Sequence, residues 1–531
     1  MVSTLAAALL AALGLSGPPA THAVAPAGPS FFVSGHGWGH GVGLAQYGAY
    51  GYAQHGWTYD KIVAHYYPGT DLGEAPVKRV RVLLAGGAKT VTISSRSAYT
   101  VRDGSGKTHK LPAGTQQLGP GLKLKLPSST KALPAPLVFS PGSSPLSLGS
   151  RSYRGSFRVT GGKKVRLVNV LGLEPYLWGV VPREMPDRWP AEALQAQAVV
   201  ARTYALGHVE HGGDFDLYAD TRSQVYGGIA AESAPAREAV NATAGQVVLY
   251  DGDLAQTFFF SSSGGRTANV QDVWSSKGVP YLVSVPDPYD TLSPYHNWGP
   301  LRYSAKLLGR KLHARGNLLD VRTSAAASGR VRSVTLVGSK GNRTVTGEAV
   351  RRALGLRSTW FTIGTLSLQA PGKPVTYGST VKLTGYSRGI PRVTLDSRPY
   401  GETWKPLATL RSRGGRVSAT LSPKVTTDYR ISSGFVRSGV VRLAVAPAVR
   451  LSPSNDRTSV TGVVKPLLPD AAVQVQRQVA NGWKTVATTT VTSHGAFTAS
   501  LDLIPGTYRA RVIAGKGYAA GVSAPLTVVP A

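Results

Sequence analysis

The sequence predicts an α+β domain, with a β-rich lobe and a central Ala-rich helix, followed by two all-β immunoglobulin-like sandwich domains. Three observations support this fold class. Alternating runs separated by Gly, Pro and Ser fill residues 77–170, a long Ala-rich segment follows, and a repeated β-type pattern lies beyond Ala370. A chain of 531 residues is also long enough for several domains.

The β-rich lobe is predicted from period-two alternation. Apolar and polar residues alternate at residues 80–84, 90–93 and 165–168, and Gly, Pro or Ser residues separate these runs. Such runs are typical of antiparallel strands with one buried face.

The central helix is predicted to open at Trp189-Pro190, with proline in its first turn, and to continue through the Ala-rich stretch Ala191 to Val209. Small or apolar residues recur at spacings of four, three and four, which indicates one face suited to close packing. These residues are Leu194, Ala198, Ala201 and Ala205. Further strands are expected at residues 246–250, 257–261 and 331–337, and helices at residues 59–67 and 347–354.

The last part of the chain contains an internal repeat. Residues 404–409 match residues 483–488, and a Tyr-Arg pair follows each copy at the same distance, at 429–430 and 508–509. We interpret residues 368–447 and 448–531 as two immunoglobulin-like sandwiches. A single larger β domain with chance similarity is the alternative.

The charge balance points to an acidic partner. The chain has 59 Lys and Arg against 27 Asp and Glu, for a net charge of +32, and it contains no Cys. Neither disulfides nor thiolate metal sites are available, and no cofactor is expected. The basic residues are spread along the whole chain without a nucleic-acid motif, and this together with the N-terminal export signal leads us to expect acidic wall polymers, not nucleic acid.

The N-terminus resembles an export signal. An apolar run from Leu5 to Leu15 precedes small residues near Ala23, which predicts a signal peptide at residues 1–23 and a first mature domain at residues 24–367. A disordered Ala-rich leader is the alternative. No transmembrane segment is expected, and the predicted location is secreted and associated with the cell wall.

The strongest candidate for chemistry is Glu184. It lies between Pro182 and Pro186 in an otherwise apolar stretch just before the central helix. Prolines rigidify the backbone, and an apolar setting raises a carboxyl pKa, which suits a general acid. By spacing alone, a Glu that interacts with the helix dipole is an equally valid interpretation.

A Gly-rich block at residues 35–49 forms a second candidate region. Its glycines permit positive φ, and His40, Gln46 and Tyr47 offer groups that hydrogen-bond to or stack on a sugar. His36 and His40 have a spacing found in metal sites, but a Gly-rich loop does not place them on one helical face. A structural glycine turn and a metal site are the alternatives to a substrate cleft, and we predict no metal.

Several segments closely resemble the sporulation stage II protein D family, also called the SpoIID/LytB domain. They are residues 169–177, 180–205, 223–228, 261–265 and 279–282. The resemblance covers roughly Phe31 to Ile363 and does not reach the C-terminal repeats.

The resemblance implies a lytic transglycosylase that cleaves the MurNAc-GlcNAc bond of peptidoglycan glycan strands and leaves 1,6-anhydro ends, with Glu184 as the general acid/base. The sugar's own C6 hydroxyl replaces water as the nucleophile. The substrate-binding residues expected for such a site are His40, Gln46, Tyr47, Arg202, Tyr204, Gln224, Tyr226 and Ser263. A hydrolase would need a second carboxylate, for which the candidates are Asp187, Glu192, Asp216 and Asp220.

The chain departs from the family pattern in two ways. Ser223 stands where some members have a cysteine zinc ligand, so a structural zinc is not expected. The Gly-His-Gly block usually ends the domain but here begins it, which indicates a circular permutation and predicts that residues 31–35 lie beside residues 359–363. For Ser263 and its neighbours, a polar turn is as good an interpretation as a sugar contact.

Two other functions fit the sequence. A non-catalytic wall-binding protein or amidase enhancer would share the family motifs, and a polyanion or nucleic-acid binder would share only the charge. The sequence leaves the oligomeric state and the ligand of the C-terminal repeats open.

Overall fold

The computed structural model describes residues 28–209, 213–274, 276–515 and 517–530. The predicted signal peptide, residues 1–23, lies outside the described residues. The chain forms two compact units. The N-terminal unit comprises residues 33–301 and 309–363, and the C-terminal unit comprises residues 28–32, 302–308 and 364 onward. Among the described residues, no helix is long and apolar enough to cross a membrane.

Most helices belong to the N-terminal unit. They are α1 Gln46–Gln54, α2 Tyr59–Tyr66, α3 Leu173–Trp178, α4 Val181–Glu184, α5 Ala191–Gly207, α6 Ala234–Ala242, α7 Val270–Trp274, α8 Ala305–Lys311 and α9 Gly347–Leu354. Short 3-10 helices occur at Ile229–Ala231 and Pro288–Leu292. The helices predicted at residues 59–67 and 347–354 are therefore confirmed.

The first fifteen strands of the chain include those of the predicted β-rich lobe. They are β1 Ser30–His36, β2 Leu44–Ala45, β3 Asp71–Glu74, β4 Arg79–Ala88, β5 Val91–Ser95, β6 Tyr99–Arg102, β7 Thr108–Leu111, β8 Gly114–Leu118, β9 Lys123–Leu126, β10 Ser129–Ala132, β11 Leu137–Ser140, β12 Leu146–Leu148, β13 Arg151–Tyr153, β14 Ser156–Thr160 and β15 Val165–Gly172. Strands β4 to β15 lie in this lobe, whereas β1, β2 and β3 pair with later strands. A sheet ordered β16-β4-β15-β14-β11-β6-β7, where β16 is Leu217–Tyr218, carries the lobe. Its strands alternate buried and exposed residues because one face packs on the core.

The remaining strands of this part of the chain are β17 Gln246–Tyr250, β18 Asp253–Leu254, β19 Phe259–Phe260, β20 Asn297–Ser304, β21 Leu318–Ala325, β22 Val331–Gly338, β23 Gly341–Thr346 and β24 Phe361–Gln369. The strands predicted at residues 246–250 and 331–337 are confirmed. The strand predicted at residues 257–261 is much shorter, because Phe259 and Phe260 pair only with the two-residue strand β2.

Helix α5 lies at the centre of the N-terminal unit, as predicted. All four predicted small-residue positions are buried, but Gln197, Arg202 and Thr203 on other faces are buried too. The prediction of one packed face is therefore wrong in extent. Helices α1, α2, α3, α4 and α6 and strand β17 surround α5 and enclose nearly all of it.

Residues 34–36 lie against residues 358–362, as the permuted motif order predicts, and the Thr362 hydroxyl donates to the Ser34 carbonyl (3.5 Å). The His36 N–H donates to the Trp360 carbonyl (2.9 Å), and the Ser358 hydroxyl donates to the His36 carbonyl (2.6 Å). The predicted proximity is confirmed by these contacts for Ser34 to His36. A permutation relative to the family stays a prediction.

The C-terminal unit contains the repeated part of the chain. Its strands are β25 Val375–Thr376, β26 Val381–Arg388, β27 Arg392–Pro399, β28 Lys405–Arg411, β29 Arg416–Leu421, β30 Thr427–Ser433, β31 Val436–Arg437, β32 Val441–Leu443, β33 Val445–Ala446, β34 Ala448–Pro453, β35 Ser459–Lys465, β36 Ala472–Val479, β37 Gly482–Thr490, β38 Ala496–Ser500, β39 Gly506–Ile513, β40 Gly521–Val522 and β41 Leu526–Val528.

The sequence repeat is also a repeat of strand pairing. Sheet β24-β26-β29 with sheet β28-β27-β30 corresponds to sheet β34-β35-β38 with sheet β37-β36-β39. An arginine lies 4.1 Å from a tryptophan ring in each copy, Arg430 over Trp404 and Arg509 over Trp483. Buried residues from both sheets form the core of the first copy. The boundaries at residues 368, 447 and 448 and the immunoglobulin-like class stay predictions.

Candidate functional site

Glu184 is the last residue of the one-turn helix α4. Val181 and Met185 on either side are buried and anchor the turn, and the Met185 N–H donates to the Val181 carbonyl (3.0 Å). The helix ends here because Pro186 disfavours a helical conformation at Met185, which is extended. The backbone that carries Glu184 is therefore held at a fixed position.

The Glu184 carboxyl is half-buried, and its neighbours are polar and uncharged. Burial raises its pKa above the ordinary glutamate value, and a hydrogen bond from the Gln46 side chain partly opposes this effect. Burial also raises the pKa of Tyr204, and the charge of Glu184 adds to that shift. Raised pKa values favour a protonated Glu184, which is the form that a general acid needs.

Gln46 reaches Glu184 from the beginning of α1. Its side-chain nitrogen donates to Gln197 Oε1 of α5 (3.4 Å), so both amides are held by the core. The Tyr47 N–H donates to the Ser261 carbonyl (3.0 Å), which fixes the first turn of α1. Gln197 was not predicted as a site residue, although it lies on the same helix as Tyr204.

The Gly-rich loop before α1 depends on glycine at two positions. Gly43 has φ 77°, and a Cβ there would lie 2.0 Å from the Phe258 carbonyl. Gly41 has φ 93°, and its Cβ would lie 2.1 Å from the Arg330 guanidinium. Arg330 is fully buried, and burial lowers its pKa to about 10. Only glycine fits this tight passage, which confirms the role predicted for these residues.

His40 uses both ring nitrogens inside the protein. The Val42 N–H donates to Nδ1 (3.1 Å), so Nε2 carries the proton and donates to the Phe259 carbonyl (3.0 Å). Burial lowers the pKa of His40 to about 4, so the ring is neutral. Among the described residues, no group of His, Asp and Glu side chains is arranged to hold a metal. His40 supports the loop through these bonds, and its predicted sugar contact stays untested.

Tyr47 belongs to an aromatic surface next to the Glu184 segment. Its ring lies edge-on to Trp189 at 4.9 Å, and the Tyr50 ring stacks on Trp189 at 4.7 Å with an interplanar angle of 10°. Trp189 follows Glu184 by five residues and begins α5 with Pro190. The prediction omitted Tyr50, whose place one turn after Tyr47 on a helix would have indicated it.

Tyr204 is the α5 residue that reaches Glu184. Its half-buried ring stacks on His208 at 3.9 Å, and it is near enough to Glu184 for that charge to raise its pKa further. Tyr176 lies close to Glu184 as well, and its pKa is raised by burial, then by Tyr226, then by Glu184. The sequence did not indicate Tyr176 as a site residue.

Arg202 lies on the same helix but makes only internal contacts. Its side chain is fully buried and forms an ion pair with Glu174 (2.5 Å). It also donates to the carbonyls of Gln246 (3.0 Å) and Val240 (3.1 Å). Its three guanidinium nitrogens are therefore engaged inside the protein, and these contacts make Arg202 a structural support.

Gln224 and Tyr226 are also buried. Gln224 Oε1 accepts a hydrogen bond from the Tyr176 hydroxyl (3.1 Å), and its nitrogen donates to the Ala201 carbonyl (3.3 Å). The Tyr226 hydroxyl donates to Asn169 Oδ1 (3.2 Å). These contacts make Gln224 a support for Tyr176, one step behind Glu184, instead of a direct surface group.

Ser263 lies in a buried loop that Asp290 holds in place. Asp290 accepts hydrogen bonds from the Ser262 hydroxyl (2.9 Å), the Ser263 N–H (2.9 Å), the Gly264 N–H (2.8 Å) and His296 Nδ1 (3.0 Å). The Ser263 hydroxyl accepts the Gly265 N–H (3.0 Å). The polar-turn interpretation accounts for these contacts. Asp290 was not among the residues predicted from the sequence.

The four candidate second carboxylates are engaged elsewhere or exposed. Glu192 accepts the Tyr59 N–H (2.6 Å), Asp216 pairs with Arg81 (2.6 Å), and Asp220 pairs with Arg222 (2.7 Å). Asp187 is exposed. Among the described residues, no carboxylate contributes to the raised pKa of Glu184.

Residues 161–250 match the family model described as Stage II sporulation protein, SpoIID. An uncharacterized protein of Brachyspira hyodysenteriae is 40% identical over 122 residues, covering 22% of this chain and 33% of that protein. The amidase enhancer of Bacillus subtilis is 41% identical over 122 residues, covering 23% of this chain and 16% of that protein. Stage II sporulation protein D of the same organism is 29% identical over 214 residues, covering 36% of this chain and 61% of that protein.

These matches confirm the resemblance to the SpoIID/LytB family over part of the chain. The chain spans only part of the length of each of these relatives. Solved structures with some likeness include a two-domain fibronectin type-III segment of chicken tenascin, with 15% identity, a TM-score of 0.20 and coverage of 31% of this chain and 97% of that one. The human OSCAR ligand-binding domain shows 20% identity, a TM-score of 0.14 and coverage of 31% and 97%. TM-scores this low carry no structural argument.

Proposed function

We propose that the N-terminal unit is an exported peptidoglycan lytic transglycosylase that cleaves the MurNAc-GlcNAc bond, with Glu184 as general acid and then general base. The family matches support a role at the cell wall. The observation that carries the proposal is the half-buried Glu184 carboxyl on a fixed turn, with a raised pKa and a hydrogen bond from Gln46.

A single carboxyl completes the reaction in two proton transfers. Protonated Glu184 donates its proton to the glycosidic oxygen as the bond to the MurNAc anomeric carbon breaks. The MurNAc C6 hydroxyl then bonds to that carbon, and the Glu184 carboxylate accepts the hydroxyl proton. No water enters the product, and the intramolecular attack gains the high effective concentration of a neighbouring group. Three of the four candidate second carboxylates are engaged with other groups, which favours this route over hydrolysis.

The neighbours of Glu184 supply binding and positioning. Gln46 hydrogen-bonds to the carboxyl and Tyr204 lies near it. The half-buried rings of Tyr47 and Tyr50, packed on the buried Trp189, are available to sugars. The loop residues behind them hold these groups in place, because groups that contact the substrate must be held in a fixed position for catalysis.

The test is Glu184→Gln on peptide-stripped glycan strands, with products identified by mass spectrometry. Wild type should release fragments with 1,6-anhydro ends, one water lighter than hydrolytic fragments. The variant should lose about 10² to 10⁴ in rate, because general acid/base catalysis of this kind contributes that much. Asp187→Asn is the matched control, since Asp187 is exposed three residues away and should keep full activity.

Two results would contradict this proposal in different ways. A folded Glu184→Gln protein with near-normal activity would remove Glu184 as the catalyst. Products with only reducing ends would make the enzyme a hydrolase and restart the search for a second carboxylate.

The second candidate is an amidase enhancer, which the 41% identity to the Bacillus subtilis protein of that name favours. Under this function the protein releases no sugar by itself but accelerates an added peptidoglycan amidase. The Glu184→Gln variant distinguishes the two, because an enhancer should stimulate the amidase equally with either residue.

A further inference from the structure

The first C-terminal repeat carries an open groove with a volume of about 620 Å³. Four basic residues line it, and no acidic residue does. They are Lys382, Arg411, Arg413 and Arg416. The hydroxyls of Thr384, Thr409 and Ser418 and the ring of Tyr386 complete the surface. The groove therefore combines concentrated positive charge with groups that bind polyols and sugars.

These cations differ from the other arginines of the same repeat. Arg398 and Arg442 both pair with Asp428 (2.8 and 2.7 Å), and Arg430 pairs with Asp396 (3.0 Å). In the described part of the chain, none of the four groove cations has an ion-pair partner. The three pairs neutralise Arg398, Arg430 and Arg442, while the groove stays positive, which favours an anionic ligand there.

The groove is lined by exposed residues of β26 and β29 and by the end of β28, with Arg413 in the turn between β28 and β29. Lys382, Thr384 and Tyr386 alternate with buried residues along β26, and Tyr386 is opposite Arg416 on β29. A strand rise of about 3.3 Å per residue separates Lys382 from Tyr386 by about 13 Å. The charged surface is therefore long enough to contact several charges of one polymer.

The second repeat lacks this surface at equivalent positions. Pairing of β35 with β38 places Thr461 opposite Thr498, just as Thr384 is opposite Ser418. The next exposed pair is Val463 with Ala496, where the first repeat has Tyr386 with Arg416.

Strand β37 continues the difference. The register of β37 on β36 places Thr490 where the first repeat has Arg411. The second repeat does have one cation nearby, Arg450, opposite Val463 on β34. The shared fold therefore keeps the hydroxyls, while the cations and the ring are specific to the first repeat.

We infer that this groove binds an anionic polymer of phosphodiester-linked polyol or sugar units. Guanidinium groups match phosphate geometry, and hydroxyl and amide groups suit the polyol part. A nucleic-acid strand would instead require several aromatic rings for successive bases, and the groove has one. This inference does not rest on the proposed cleavage reaction.

The experiment measures binding of the full chain to lipid-free poly(glycerol phosphate) by calorimetry over a salt series. The triple variant Arg411→Gln, Arg413→Gln, Arg416→Gln should bind about 10- to 100-fold more weakly, with a shallower salt dependence. The matched control removes three exposed cations from the second repeat, Arg450→Gln, Lys465→Gln and Lys484→Gln, and should bind within about twofold of wild type. Melting temperatures check that both variants are folded.

A further variant separates the ring from the charge. Tyr386→Ala should weaken binding without changing the salt dependence, because no cation is lost. Polygalacturonate and poly(dT) serve as competitor polymers, and each should bind more weakly than poly(glycerol phosphate). Equal losses of affinity in the two triple variants would overturn the assignment of binding to the groove, since positive charge anywhere on the two repeats would then be enough for binding. Tighter binding of either competitor would overturn the phosphodiester polyol as its ligand.

Discussion

The Glu184 site and the basic groove use charge in opposite ways. At Glu184 a single ionisable carboxyl is half-buried among neutral partners, and burial raises its pKa. In the groove, four cations line an open surface without ion-pair partners among the described residues. The difference shows that chemistry here depends on one group whose protonation state can change, whereas binding depends on several whose charge stays fixed.

The two sites also differ in what holds them. Glu184 is surrounded by side chains from α1, α3 and α5, and several of these are themselves hydrogen-bonded. Mutating the residues that hold these side chains should therefore also affect Glu184. The groove cations project from exposed positions on the surface of the first repeat, so they can change without effect on the fold.

The largest expected effect tests the support behind the Glu184 site. Glu174→Gln removes the carboxylate that pairs with fully buried Arg202 (2.5 Å). Losing one partner of a buried pair costs about 3 to 5 kcal/mol of unfolding free energy, and we expect the lower end because two carbonyls still accept from Arg202. Denaturant unfolding measures the change. Arg413→Gln in the groove is the control and should leave stability unchanged. A similar loss of stability in this variant would contradict the stated difference between the Glu184 site and the groove.

An intermediate effect is expected from transferring the groove to the second repeat. Val463→Tyr, Thr490→Arg and Ala496→Arg, placed in the triple groove variant, should recover about tenfold in affinity for poly(glycerol phosphate). The reason is that the hydroxyls are already present at matching positions. Placing two arginines instead at Lys465 and Lys484 adds no charge and should recover nothing. Failure of the graft with a normal melting temperature would mean that the groove's shape, beyond its residues, differs between the repeats.

The smallest effect concerns pH. Activity that needs protonated Glu184 is present at low pH and falls as pH rises through the raised pKa of Glu184. Gln46→Leu removes the hydrogen bond that favours the charged form, so the pKa rises further and the alkaline limb of the rate-pH profile should move to higher pH. Gln54→Leu, on the exposed side of the same helix, should leave the profile unchanged. A shift to lower pH would show that Gln46 does not act on the carboxylate form.

Binding at the groove should show no such dependence near neutral pH, because arginine stays charged throughout that range. Calorimetry with poly(glycerol phosphate) at several pH values, at constant ionic strength, checks this expectation. A strong pH dependence would indicate that a titrating group outside the four cations controls the groove.

The sequence alone determined the parts that depend on local pattern. Period-two alternation identified β4, β5 and β15, the Ala-rich run identified α5, and the repeat identified the paired sheets of the C-terminal unit. The two prolines and the apolar neighbours of Glu184 predicted a fixed and partly desolvated carboxyl. These features follow from residues close together in the chain, where backbone preference and burial periodicity suffice.

Only the tertiary structure decided which side chains meet. Gln46 and Glu184 are 138 residues apart in the sequence, and Gln46 and Gln197 are 151 apart. Arg202 was predicted to bind substrate, but its side chain is buried against Glu174. The groove could not be predicted either, because Lys382, Arg411 and Arg416 come from three strands of two sheets. Long-range packing sets such contacts, and no local pattern encodes the register between distant strands.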